Sequence, residues 1–196
     1  MSEIPEVIRE QVITELYHQA DELNWELLPA SEKKRQYQKW IEDSRVGGVL
    51  REFFDDHRMG TWIKDTPMKE YARAQEGFGS TAKYVRSRFP GPEVLIGQAL
   101  GPEWIVVPNS VDDKPMHCLA ATRESTRYVC WGRPNTFRDL IWAALNKAIT
   151  MSERPLVIVT EQDGISVSAN ERATQAAIAE HCGLDLTHIH RRLQRT

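Results

Sequence analysis

Apolar positions in the first part of the chain recur at helical spacing. Ile4, Val7, Ile8, Val12, Leu16 and Leu23 keep a period of three to four residues, with Ile13 and Tyr17 on its flanks, which predicts a long amphipathic helix over residues 4–25. Pro29 interrupts that pattern, and Ser31 is placed to cap a second helix through Lys34, Tyr37, Trp40 and Ile41. The pair Gly47-Gly48 either ends that helix or admits a close neighbour. Thr66 before Pro67 marks another helix start, carrying Met68, Tyr71 and Ala72 to a stop at Gly77. A further helix is expected over residues 80–88, closed by the proline-glycine cluster at 89–92.

Beyond that cluster the pattern changes. Short apolar runs at 94–96, 104–107, 116–120 and 127–131, each bounded by turn residues, predict strands. Thr136 is placed to cap a helix through Phe137, Leu140, Ile141, Ala144, Leu145 and Ala148. Residues 156–160 and 165–167 flank Asp163-Gly164, a strong hairpin signal.

The most specific pattern lies at residues 174–193. Asn170 can cap a helix with apolar positions Ala173, Ala176, Ala177, Ile178 and Cys182; Gly183 supplies the turn, and a second helix starting near Leu186 would bury Leu186, Ile189 and Leu193. With Ala179 at the close approach, Thr174-Gln175, Ile178-Ala179, Gly183-Leu184, Ile189 and Leu193 resemble the helix-turn-helix of bacterial repressors and activators. That resemblance implies a recognition helix in the major groove, with Asp185, Thr187, His188 and Arg191 toward base edges, Gln175 on a phosphate, and Arg192 and Arg195 on the backbone. It also implies a homodimer, matching the two-fold symmetry of such sites. The expected fold is therefore α+β. A mainly helical region (1–90) precedes a region (91–196) with a small, mostly antiparallel sheet, a packed helix and a C-terminal helix-turn-helix; the two are either separate or one continuous domain.

Composition narrows the function without naming it. Of 196 residues, 41% are hydrophobic and 27% charged, which excludes wholesale disorder. No apolar run approaches the roughly 20 residues of a membrane span, and the acidic start Met1-Ser2-Glu3 does not read as a signal peptide. Three cysteines without a close pair point to reduced core thiols and a cytoplasmic protein. A net charge of -3 excludes indiscriminate coating of nucleic acid, yet residues 188–196 carry three arginines and no acid.

Other constellations carry weaker chemistry. Gly77, Gly79, Ser80, Thr81 and Lys83 surround a helix start that would favour a phosphate, or form a C-cap glycine followed by a serine N-cap. Asp112, Asp113 and Lys114, preceded by Glu103, hold the acid and lysine elements of metal-dependent nucleases, although Ser110 and Pro115 suggest a turn. His117-Cys118 and His181-Cys182 lack the spacing of zinc ligands, and His188 and His190 would diverge by about 200° on a helix. No metal or cofactor is called for. Most of the six tryptophans sit in apolar patterns and read as core. Residues 62–71 mix charge and aromatics, with Lys64, Asp65, Lys69 and Tyr71 near a helix start.

The leading expectation is a DNA-binding protein, a regulator or a component of a DNA-processing or defence system. Two alternatives stay open: a metal-dependent nuclease or nucleotide-acting enzyme, and a protein-binding inhibitor or adaptor.

Overall fold

A computed structural model describes residues 4–195. Helices α1 (Glu6–Glu22), α2 (Ala30–Glu42), α3 (Gly47–Leu50), α4 (Asp56–Asp65) and α5 (Pro67–Gln75) lead to strand β1 (Ser87–Arg88). Then follow α6 (Pro92–Leu100), β2 (Ile105–Val106), β3 (Asp112–Asp113), β4 (Met116–Ala121), β5 (Thr126–Gly132), α7 (Phe137–Ala148), β6 (Leu156–Glu161), α8 (Ala169–His181), β7 (Asp185–His190) and β8 (Gln194–Arg195). The class is α+β. Two compact units divide the chain: residues up to Phe89 together with those from Leu193 onward, and Pro90–Arg192. No described helix is long and apolar enough to cross a membrane.

The first unit is a helical assembly around one core. Of the stripe read from the sequence, Val12 and Leu16 are buried, together with the flanking Ile13 and Tyr17 and with Ala20, in one core with Met59, Ile63, Met68 and Tyr71, whereas Val7 and Leu23 are exposed. Trp25, Tyr37 and Trp40 stack mutually at 4.9–5.7 Å between ring centroids, and Trp40 Nε1 donates to Gln19 Oε1 at 2.8 Å. That bond lets a fully buried indole keep its N–H satisfied. The Tyr71 hydroxyl donates to Asp21, whose other carboxylate oxygen accepts from the Arg86 backbone N–H at 3.0 Å. Strands β1 and β8 pair antiparallel, joining Ser87 to Arg195 and Arg88 to Gln194.

The second unit is a mixed sheet in the order β2-β4-β5-β6-β7, with β3 also on β4. The β2, β3 and β5 pairings with β4 are antiparallel; β5–β6 and β6–β7 are parallel. Helix α6 covers one face through Leu95 and Ile96, over Cys118, Val129, Trp131 and Ile158. Helices α7 and α8 belong to the other face, where Leu140, Ile141, Ala144 and Ala179 meet Tyr128, Cys130 and Val157. Every residue of β6 is buried, as expected of a central strand flanked by parallel neighbours and covered on both faces, hence the unbroken run Leu156-Val157-Ile158-Val159.

Four expectations are corrected. Residues 185–190 form β7, paired residue for residue with β6, so the helix-turn-helix is a helix-turn-strand. Leu184, Leu186 and His188 alternate with Thr187 and Ile189; this two-residue period fits a strand and gives the sheet its last member. Residues 94–96 lie in α6, where Pro92 takes the first turn and Leu95 and Ile96 are buried. Residues 80–88 contain only the 3-10 turn Ala82–Tyr84 before β1. The Asp163-Gly164 turn closes one isolated bridge, Gln162 to Ile165, with no strand over 165–167.

Candidate nucleic-acid interface

A concave surface of the second unit lies between α7 and the β3–β4 edge. Helix α7 turns Leu140, Ile141 and Ala144 to the core, which leaves Arg138, Trp142 and Asn146 on its outer side at four-residue steps. Across from them are Asp112 and Lys114, at β3 and the turn after it, and His117 of β4. The groove between has a volume of about 850 Å³, within the range of small-molecule and nucleotide pockets.

Its floor is fixed. Tyr128 of β5 is 2% exposed, and burial pushes its hydroxyl pKa well above the ordinary tyrosine value. The His117 ring packs on it at 5.2 Å, held by a 2.7 Å hydrogen bond between Nδ1 and the Pro115 carbonyl. Lys147 Nζ lies 5.8 Å from the Tyr128 centroid, an aromatic contact that holds the lysine at the groove. Arg138 has Asp139 beside it at 3.4 Å, both largely in solvent. The rim thus offers Lys114, Arg138 and Lys147 against Asp112 and Asp139.

Trp142 is the outlier. Trp25, Trp40 and Trp131 are 0–3% exposed, as the apolar patterns implied, but Trp142 is 67% exposed. A large indole left in water on a helix whose inner face already has its apolar residues does nothing for the core. The sequence offered one signal for it: Trp142 directly follows the buried pair Leu140-Ile141 and falls off the 140–144 stripe.

The residues assigned to DNA by the helix-turn-helix pattern do not share a surface of this kind. Gln175, 4% exposed on α8, sits 2.7 Å from His188 Nε2 of β7. Asp185 pairs with Arg127, and Thr187 is half-buried in β7. Arg191, 7% exposed, donates through Nη2 to the Pro90 carbonyl at 2.9 Å. Arg192 is exposed just past β7, whereas Arg195 belongs to the first unit on β8, beside a small groove shared with Asp21, Glu22, Arg86 and Ser87. A recognition-helix geometry for these side chains is absent.

The weak phosphate site also changes character. Ser80 is exposed, Thr81 is 9% exposed, and Lys83 pairs with Glu10 at 2.6 Å. That hydrogen bond raises the Lys83 pKa, and the same contact is the main reason Glu10 is lowered. A three-residue 3-10 turn has no helix dipole to add.

A second polar cluster closes the α8 side of the sheet. Glu161, at the end of β6, accepts from Arg172 Nη2 at 2.5 Å and from the Val167 backbone N–H at 3.1 Å, and is 5% exposed. It ties the 162–168 loop to α8 and has its oxygens occupied. Ser168, in place of Asn170, caps α8 by accepting from Glu171 N at 3.2 Å. Burial depresses the His188 pKa, reinforced by Arg172. Burial also raises the thiols of Cys118 and Cys130 to about 12, so both stay protonated in the core. Among the described residues, no group of three or more His, Cys, Asp or Glu side chains could hold a metal ion.

Comparison with protein-family models, with curated proteins and with solved structures finds no match for this chain.

Proposed function

We propose that the protein binds nucleic acid through the α7 groove and not through residues 174–193. The observation that carries this reading is Trp142, two-thirds exposed in a groove rimmed by Lys114, Arg138 and Lys147. An aromatic plane beside cations matches the two recurring parts of a nucleic acid, the π-face of a base and the phosphate. Asn146 adds an amide that both donates and accepts, which suits a base edge. The homodimer expectation rested on the two-fold symmetry of helix-turn-helix sites, and this reading does not require it.

The test is fluorescence anisotropy of labelled DNA and RNA oligonucleotides with the full chain. The double variant Arg138→Ala/Lys147→Ala is expected to weaken binding about tenfold or more at low salt. Arg192→Ala, outside the groove, is expected to leave it unchanged. No binding to any oligonucleotide, or equal binding by the double variant, overturns the proposal.

A further inference from the structure

We infer that the α7 groove takes an unpaired nucleotide, so that the protein prefers single-stranded nucleic acid to duplex; this rests on the nucleic-acid reading above. Side chains four apart on a helix lie one above the other, so Arg138, Trp142 and Asn146 form one row along the outer face of α7. The row runs cation, indole, amide. One extruded nucleotide presents the complementary series: phosphate, base face, base edge.

A duplex cannot use that row. Its bases cover each other's faces and show only their edges in the grooves, so an indole has no plane to stack on. A surface for duplex backbone, conversely, needs many cations and no tryptophan. Here three cations stand against two carboxylates, Asp112 and Asp139, which is a small surplus for a polyanion. Stacking therefore carries the larger share, and stacking on a single tryptophan requires an unstacked base. The concavity agrees: the groove is walled on its far side by Asp112 and Lys114 and floored by Tyr128, a shape that admits one splayed base more readily than the convex side of a helix-sized cylinder.

Preference for the unpaired form is read by anisotropy with one labelled oligonucleotide, alone and annealed to its complement, with free mononucleotide as competitor. The wild-type chain is expected to bind the single strand about tenfold or more tighter than the duplex. Trp142→Ala should remove that difference, and Trp142→Phe should keep most of it, with unchanged far-ultraviolet circular dichroism for both. Equal affinity for the two forms overturns the inference and leaves the nucleic-acid reading standing. A single-strand preference that survives Trp142→Ala overturns the groove as its source. Competition by mononucleotide at the strand's own affinity assigns the groove to small nucleotides and overturns the inference too. Failure to bind either form removes the underlying reading.

Discussion

His188 shows how one residue acquires a property from its neighbours. It occupies β7 beneath α8, with Gln175 on Nε2 at 2.7 Å, Arg172 adding positive potential, and Glu161 and Glu171 opposing it. Burial is the largest influence and, with Arg172, holds the folded pKa below its ordinary 6.5. The unfolded chain therefore takes up the proton first on acidification. Between the ordinary value and the lower folded one, the unfolded state carries more protons, so stability falls as pH drops through that window and is fully retained above it. Thermal melts from about pH 7.5 down to about pH 5.5 should show a declining midpoint. His188→Gln, which can still donate to Gln175, should flatten that decline while leaving the fall in the carboxylate range. An unchanged slope in the variant would place the titration elsewhere.

The elements were legible where one period dominated and illegible where two competed. The stripe of α1 and the unbroken apolar run of β6 each admit one reading, and both elements form. Residues 184–193 satisfy both periods: Leu186, Ile189 and Leu193 fit a helix, and Leu184, Leu186 and His188 fit a strand. The choice is made by β6, whose second edge needs a hydrogen-bonding partner, and the sequence of β7 alone contains no record of that demand. The α2–α3 corner was half legible, since Gly47-Gly48 left a choice between a helix stop and a close approach. Gly47 serves the approach. A Cβ there would strike the Ile41 carbonyl and lie 2.9 Å from the Trp40 carbonyl oxygen, both backbone atoms that cannot swing away. At Gly48 the nearest atoms are 3.8 Å off and the site is exposed. Gly47→Ala is thus expected to cost about 3 kcal/mol or more, whereas Gly48→Ala should be neutral or stabilise by up to about 1 kcal/mol, because alanine favours the helix. Urea titrations of the two variants measure both signs, and similar midpoints would contradict the corner geometry.

At the scale of the whole molecule, charge and site separate. A net charge of -3 gives no long-range attraction for a polyanion, and the acid-free basic stretch 188–196 lies outside the α7 groove. The groove cations stand far apart in sequence, at 114, 138 and 147, and meet only because β3 folds onto β4 while α7 packs on β5. No linear count of charge reveals such a cluster. Asp112 and Lys114 carry, in sequence, the pattern of metal chemistry, and Trp142 lies off the apolar stripe of its helix with nothing in the sequence to say what it faces. The charge distribution also limits how binding can depend on salt. Each phosphate neutralised on a single strand contributes about 0.7 to the slope of log K against log salt. With Lys114, Arg138 and Lys147 as the contacts, the magnitude of that slope should not exceed about 2. Arg138→Ala should lower it by about 0.7, and Trp142→Ala should weaken binding by about tenfold or more with the slope unchanged, since stacking releases no counterions. A wild-type slope of about 5 would require a basic surface larger than this groove, and phosphate contacts would then have to be sought outside α7.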